Sequence, residues 1–276
     1  MRLGLHSFSY HLHLEDVDCS RDVFWFLRRV QSLGLHGCEI DSRHLQGWDP
    51  ALLRDVGHFC REHGLYLDLG AYGFDFDRIS QRLDLAGRSG ARLLRTLISP
   101  EARVLDDAGR QALVDRSLVS FHKLSKVAED CQVILAIEND GTVPSDDLLS
   151  IVREINSPWF RTCIDIGNAA VLWEDPVKVA EKLVPFAASI HLKDWQYSWD
   201  RGVSRRKGCA LMEGDVAVEA IYSLIRRSSP KTPVTIEVAT VGPEGSVCLL
   251  AEEELNVKQS VERVVRLEEQ ICRNSD

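Results

Sequence analysis

The sequence predicts an α/β fold in which eight parallel strands alternate with helices, as in a (β/α)8 TIM barrel. Eight short apolar runs recur along the chain, and stretches with helical periodicity separate them. Crossover helices make consecutive strands parallel, and about 34 residues per unit is the usual size in such a barrel. An open doubly wound sheet is the alternative, but it usually carries a Gly-rich phosphate loop after its first strand. The segment "SFSYHLHLED" is not such a loop.

The elements follow one another in strand–helix order over a single expected domain, residues 1–276. Apolar runs predict strands within residues 2–10, 35–41, 65–70, 91–99, 132–139, 160–167, 188–194 and 233–240. Helical periodicity predicts helices at 21–34, 49–64, 77–90, 106–130, 145–155, 175–184, 215–227 and 251–270. The dipeptide Asp49–Pro50 is a helix-start signal, while Gly34 and Gly64 suit helix C-caps.

Composition excludes several classes of function. The net charge of −9 disfavours nucleic acid or an anionic membrane as the main partner. There is no apolar run of about 18 residues, and His and Ser interrupt the first apolar segment, so neither a transmembrane helix nor a signal peptide is expected. Eight cysteines without a Cys-x-x-Cys pair predict reduced thiols and a cytoplasmic protein.

The last four predicted strands all end on a potential metal ligand. These residues are Glu138, Asp165, His191 and Glu237. In a barrel the carboxyl ends of the strands lie side by side on the rim where such enzymes work. A charged residue at a strand end can also be only the edge of the core. Four consecutive strands with one imidazole and three carboxylates favour a metal site instead.

Strand alternation supports a common face for these ligands. The residues two positions earlier are all small, and those one position earlier are all isoleucine. Alternate side chains point to opposite faces of a strand, so the ligands share the barrel interior with the small residues. An oxygen-rich set with one imidazole suits Mn²⁺ or Mg²⁺, with Co²⁺ or Zn²⁺ as alternatives.

These residues resemble the xylose isomerase-like sugar (phosphate) isomerase/epimerase superfamily. "DIGN" at 165–168 and "HLKD" at 191–194 are similar to its strand-six and strand-seven signatures, and "GCALMEGDVAVEAI" at 208–221 resembles its Gly-rich loop and following helix. Two departures stand out: Asn168 occupies a position where free-ketose epimerases commonly have His, and "LMEGD" replaces the common Gly-Glu-Gly. The resemblance implies that Glu138 and Glu237 are the catalytic acid/base pair as well as metal ligands.

The predicted site suits chemistry through an enediolate. A dication at the barrel mouth can bind two adjacent oxygens of an α-hydroxyketone and stabilise the enediolate formed when a proton is lost. The leading hypothesis is therefore a metal-dependent isomerase or epimerase of a small sugar, sugar phosphate or sugar acid. A lyase that decarboxylates or dehydrates a 3-oxo sugar acid is the first alternative. A non-catalytic sugar-binding barrel is the second.

Asn168 is a candidate substrate contact, and further candidates each have a structural alternative. Lys193 shares the strand face of His191, but it could instead form a rim ion pair. His6 and Arg95 lie in strands one and four and could equally be core or rim residues. The segment 199–209 is a basic loop in an acidic chain, in which Arg205 and Arg206 would suit a substrate phosphate or carboxylate. The partner expected is a small carbohydrate, and a homo-oligomer is left open.

Overall fold

A computed structural model shows a closed parallel barrel of eight strands. It describes residues 2–16, 21–98, 106–200, 203–241 and 247–273. The strands are β1 (Leu3–His6), β2 (Gly37–Ile40), β3 (Tyr66–Gly70), β4 (Leu93–Thr96), β5 (Ile134–Glu138), β6 (Phe160–Asp165), β7 (Ala187–Leu192), β8 (Trp195–Asp200), β9 (Val203–Gly208) and β10 (Val234–Ile236). The order around the barrel is β1-β10-β7-β6-β5-β4-β3-β2. The sequence prediction of an α/β barrel is thus confirmed.

Helices follow the barrel strands and cover the outside of the barrel. They are α1 (His11–Glu15), α2 (Val23–Ser32), α3 (Pro50–Glu62), α4 (Phe76–Ser89), α5 (Asp107–Cys131), α6 (Ser145–Ile155), α7 (Pro176–Leu183), α8 (Val218–Ser228) and α9 (Val247–Arg273). The Asp49 carboxylate caps α3 by accepting from Ala51 N and Leu52 N. Gly34 and Gly64, just past α2 and α3, have φ of 68° and 65°, as their expected C-cap role requires.

Two features were not expected from the sequence. The short helix α1 comes before the first long helix. The segment expected to be a basic loop forms an antiparallel hairpin of β8 and β9, outside the barrel sheet. Arg205 and Arg206 are successive residues of β9, so their side chains leave opposite faces of the hairpin. In the described part of the chain, no helix is both long and apolar enough to cross a membrane.

The apolar side chains of the barrel strands are divided between a main core and a small second cluster. The isoleucines that precede the ligands belong to the main core and are fully buried: Ile137, Ile164, Ile190 and Ile236. Ala136 and Cys163 belong instead to a small separate cluster with Leu93 and Ala188. Small residues in that cluster leave the space into which the larger polar residues of the strand ends extend.

The Tyr66 side chain packs inside the barrel because the two nearest strands on one side, β2 and β1, have glycine where it lies. A Cβ on Gly37 would lie 2.2 Å from the Tyr66 ring, and one on Gly4 would lie 2.0 Å from the Tyr66 hydroxyl oxygen. The Tyr66 hydroxyl lies 3.5 Å from Thr235 Oγ1 across the barrel. The ring therefore occupies the space that side chains on β1 and β2 would otherwise need.

Gly37→Ala is expected to destabilise the fold by about 1–3 kcal/mol, because the added methyl group overpacks the contact with Tyr66. Urea unfolding followed by circular dichroism measures the change in the free energy of unfolding. The control is Lys126→Ala on the exposed face of α5, which should stay within about 0.5 kcal/mol of the parent protein. Equal stability of Gly37→Ala and the parent would contradict the described packing.

Candidate active site

The four candidate ligands lie on four strands that are consecutive around the barrel. Asp165 ends β6, His191 is the last residue but one of β7, and the two are paired in register. Glu138 ends β5 on one side, and Glu237 directly follows β10 on the other side. All four side chains are buried. The two glutamates therefore flank the aspartate and the histidine at one end of the barrel.

His191 connects two groups of carboxylates. Its Nε2 lies 2.8 Å from Glu39 Oε2, and Cys163 Sγ lies 3.4 Å from the same nitrogen. Its Nδ1 is buried and finds no hydrogen-bond partner among the described residues, although Glu237 Oε2 lies 3.1 Å away. A buried imidazole nitrogen without a hydrogen bond is a good metal-ligand position.

Glu138 and Asp165 are each held by neighbouring side chains. Asn168 Nδ2 donates to Glu138 Oε1 at 3.1 Å, and Arg95 Nε lies 3.2 Å from the other oxygen. The Asn139 amide accepts from Asp165 N at 2.7 Å and donates to Asp165 O at 2.9 Å, so it continues the pairing of β5 with β6. Gly167 N donates to Asp165 Oδ1 at 2.8 Å.

Lys193 lies among the ligands. Its Nζ is 3.2 Å from Asp165 Oδ2 and 2.5 Å from Glu237 Oε1. The same nitrogen lies 5.7 Å from the centre of the Phe8 ring and 5.5 Å from that of Trp195. The ammonium group therefore sits between two aromatic rings and bridges two of the candidate ligands.

The two glutamates are in different electrostatic environments. Burial raises the pKa of Glu138 to about 7, although Arg95 and His191 act in the opposite direction. Burial would also raise the pKa of Glu237, but Lys193, His6 and His191 together hold it well below its usual range. At neutral pH in the metal-free chain, Glu138 can thus carry a proton while Glu237 is ionised.

A divalent cation fits one of three possible ligand groups best. The donor atoms of Glu138, Asp165 and His191 lie within 4.8 Å of one another, as do those of His6, His191 and Glu237 and those of Glu39, Cys163 and His191. The group with Cys163 includes a soft thiol, and in the group with His6 the Nδ1 of that histidine already accepts from Phe8 N.

The carboxylate-rich group, with the adjacent Glu237, therefore fits a hard divalent cation such as Mn²⁺ or Mg²⁺. The Nδ1 of His191 faces this set, because it lies 3.1 Å from Glu237 Oε2. The structure thus brings together the four residues that the sequence suggested as ligands, and their metal role remains a proposal.

The remaining predicted contacts differ in how close they lie to this group. Asn168 and Lys193 touch candidate ligands directly. His6 and Arg95 meet at Glu39, with His6 Nε2 3.2 Å and Arg95 Nε 2.8 Å from Glu39 Oε1. Both arginines of the hairpin are exposed; Arg206 lies over the Trp195 ring at 4.7 Å, and Arg205 leaves the opposite face.

Sequence reasoning did not assign three supporting residues to the ligands. The sequence does not show that Glu39 meets His191, that Asn139 meets Asp165, or that Phe8 lies near Lys193. The position of Glu39 at a strand end, like that of the ligands, was the available signal. Nothing in the local sequence shows which residue Asn139 or Phe8 meets.

Comparison with known proteins identifies the family. The model of the xylose isomerase-like TIM barrel matches residues 27–267. The chain belongs to this family. This chain is 25% identical over 188 residues to a curated protein, the 3-oxo-isoapionate decarboxylase of Pectobacterium atrosepticum. The match covers 67% of this chain and 66% of that protein, which is just under two thirds of its length.

Solved structures share the fold of this xylose isomerase-like barrel at low sequence identity. The IOLI protein with a zinc atom bound has a TM-score of 0.76 and 14% identity, covering 97% of this chain and 98% of that one. D-psicose 3-epimerase of Clostridium cellulolyticum H10, solved with D-tagatose, has a TM-score of 0.73 and 12% identity, with 97% and 98% coverage. At these identities the likeness establishes the fold.

Proposed function

We propose that this chain is a divalent-metal-dependent isomerase or epimerase of a small sugar, sugar phosphate or sugar acid, and that it works through an enediolate. The observation that carries the proposal is the placement of Glu138 and Glu237 on either side of Asp165 and His191. Two carboxylates that flank one cation position can reach a substrate carbon from two sides.

The residues divide the work as follows. A cation held by Glu138, Asp165, His191 and Glu237 would supply Lewis-acid stabilisation of the negative charge on two adjacent substrate oxygens. Glu237, kept ionised beside Lys193, removes the proton from the carbon between these oxygens. Glu138, on the other side of the cation position, returns a proton to the substrate.

The site of proton return decides the product. Return to the same carbon from the opposite face inverts that carbon, which is epimerisation. Return to the neighbouring carbon exchanges ketose for aldose, which is isomerisation. Lys193 can hydrogen-bond a substrate oxygen in either reaction, while Asn168 keeps Glu138 oriented through its 3.1 Å contact.

Incubation of the Mn²⁺- or Mg²⁺-loaded protein with ketoses, their phosphates and 3-oxo sugar acids tests the proposal. An isomerase or epimerase leaves the mass of its substrate unchanged and, in D₂O, introduces deuterium at a sugar carbon. A protein that binds these sugars without exchange or turnover would instead be a binding barrel, and the proposal would be rejected.

A decarboxylase of a 3-oxo sugar acid is the second candidate. The observation that favours it is the sequence match to 3-oxo-isoapionate decarboxylase. Loss of CO₂ from a 3-oxo acid leaves an electron pair that the same cation would stabilise, and one protonated glutamate then completes the reaction. Release of CO₂ with loss of 44 mass units, as chemistry requires, would select this candidate over the isomerase.

The proposed substrate carries an anionic group that meets the basic hairpin. Arg206 stacks on the Trp195 ring, and Lys193 Nζ also lies 5.5 Å from the centre of that ring, so this arginine is linked to the site. Arg205→Ala/Arg206→Ala should raise KM far more than it lowers kcat, because the contact stabilises bound substrate and transition state alike.

The opposite orientations of the two arginines provide a matched control. Arg206→Ala alone should reproduce most of the rise in KM, and Arg205→Ala alone should change it little. Steady-state kinetics on the true substrate measures both parameters. Unchanged KM in the double variant would remove the hairpin from the proposal.

A cytoplasmic location is also proposed. None of the six cysteines whose side chains the structure describes forms a disulfide. Free, mostly buried thiols suit a reducing compartment.

A further inference from the structure

We infer that Glu39 is a positioning residue for the metal site. Its carboxylate holds the Nε2–H group of His191, so that the opposite nitrogen faces the other candidate ligands. This inference rests on the proposed function and extends it to a residue that touches neither the cation nor the substrate.

Glu39 is fully buried at the end of β2 and accepts from three side chains. His191 Nε2 lies 2.8 Å from Oε2, while Arg95 Nε and His6 Nε2 lie 2.8 and 3.2 Å from Oε1. His6 can only donate here, because its Nδ1 accepts from Phe8 N at 3.1 Å. Three donors converge on this carboxylate, so it acts as an acceptor and not as a further metal ligand.

The contact with Glu39 determines which nitrogen of His191 is available. A neutral imidazole carries its proton on one nitrogen and a lone pair on the other. In the neutral form that a histidine must adopt to bind a metal, donation from Nε2 to Glu39 leaves the lone pair of His191 on Nδ1. That nitrogen is 3.1 Å from Glu237 Oε2, and the histidine belongs to the ligand group with Glu138 and Asp165. Outer carboxylates of this kind fix the orientation of ligating histidines and increase their basicity.

Arg95 fixes Glu39 in turn. The guanidinium group is buried and also contacts Glu138 at 3.2 Å and Asp41 at 3.4 Å. Glutamine at position 39 would keep one acceptor oxygen, but its NH₂ group would face the donors of Arg95 and His6 or of His191. Replacement of the carboxylate by an amide should therefore loosen the His191 ring even though the two side chains have similar shapes.

Asp68 provides a matched control. It is the register partner of Glu39 on the adjacent strand β3, it is fully buried, and it is paired with Arg92. Among the described residues, the Asp68 carboxylate accepts from Arg92 and has no hydrogen bond to His191. Asp68→Asn should thus disturb a comparable buried ion pair without changing the orientation of the metal-binding histidine.

Calorimetric titration with Mn²⁺ tests the inference. Glu39→Gln is expected to lower the affinity by about 10- to 100-fold, the usual effect of losing an outer-sphere partner. The Mn²⁺ affinity of Asp68→Asn should stay within about threefold of that of the parent, because this variant keeps the hydrogen bond between Glu39 and His191. Parent-like affinity in Glu39→Gln, or an equal loss in Asp68→Asn, would overturn the inference.

A second readout separates this inference from the metal proposal. With ¹⁵N-labelled histidine, the Nε2 proton of His191 should exchange slowly in the parent and rapidly in Glu39→Gln, with or without metal. Addition of diamagnetic Zn²⁺ to the parent should shift the Nδ1 resonance. Absence of that shift would reject the metal site, whereas equal Nε2 proton exchange in parent and variant would reject the role of Glu39.

Discussion

Glu138→Gln and Glu237→Gln are each expected to lower turnover by about 10²- to 10⁴-fold, the usual contribution of a general acid or base. Glutamine keeps an oxygen that can ligate, but it cannot exchange a proton at neutral pH. Both variants should therefore still bind metal, although more weakly because one negative charge is lost. Turnover of the true substrate and Mn²⁺ titration measure the two effects separately.

The pattern of proton exchange distinguishes the two candidate reactions. In an epimerase, one variant should still exchange the substrate proton with D₂O from a single face, which NMR detects. In a decarboxylase no substrate proton is removed and only one glutamate donates a proton. The two substitutions should therefore lower turnover by different factors. Glu174→Gln, in the loop where Glu174 accepts from Ser145, is the control and should retain full activity. Full activity in either glutamine variant of the pair would rule out the mechanism.

His191→Ala is expected to weaken Mn²⁺ binding by more than the about 10- to 100-fold that outer-sphere changes produce. The substitution removes the buried Nδ1 that has no hydrogen bond to a described residue, and with it the one imidazole of the candidate ligand group. Removal of the ring also leaves the Glu39 and Glu237 carboxylates without a shared partner. Calorimetric titration of the purified variant measures the loss of affinity.

The control for His191→Ala is His122→Ala on the exposed surface of α5. It should bind Mn²⁺ as the parent does, and circular dichroism should show that both variants remain folded. If folded His191→Ala bound Mn²⁺ with the affinity of the parent, the cation would have to lie elsewhere. The four strand-end residues would then be rim charges, as the alternative interpretation of the sequence holds.

The sequence by itself determined the barrel and the candidate ligands. Strand and helix periodicities are local properties, so alternating apolar runs and helical stretches reveal the element order without tertiary information. In a parallel barrel the carboxyl ends of all strands meet on one rim. Once each strand end is located, that rule predicts that four residues far apart in the sequence, from Glu138 to Glu237, are close in space.

The tertiary structure alone decided how these residues are paired. Lys193 lies on a strand face that suits either a substrate contact or an ion pair, and only the packing shows its contacts with Asp165 and Glu237. Glu39 is 152 residues from His191 in the chain, so no local pattern connects the two. Their bond depends on the barrel closing through β1, which places β2 and β7 across a common interior.

The basic segment shows the same division between local and tertiary information. Composition reveals the excess of arginine at 205–206, but composition does not distinguish a loop from a hairpin. Pairing of β8 with β9 sets the alternation, and that alternation places Arg206 over Trp195 while Arg205 points away. The direction of each side chain follows from hydrogen bonds between two strands, which neither strand specifies by itself.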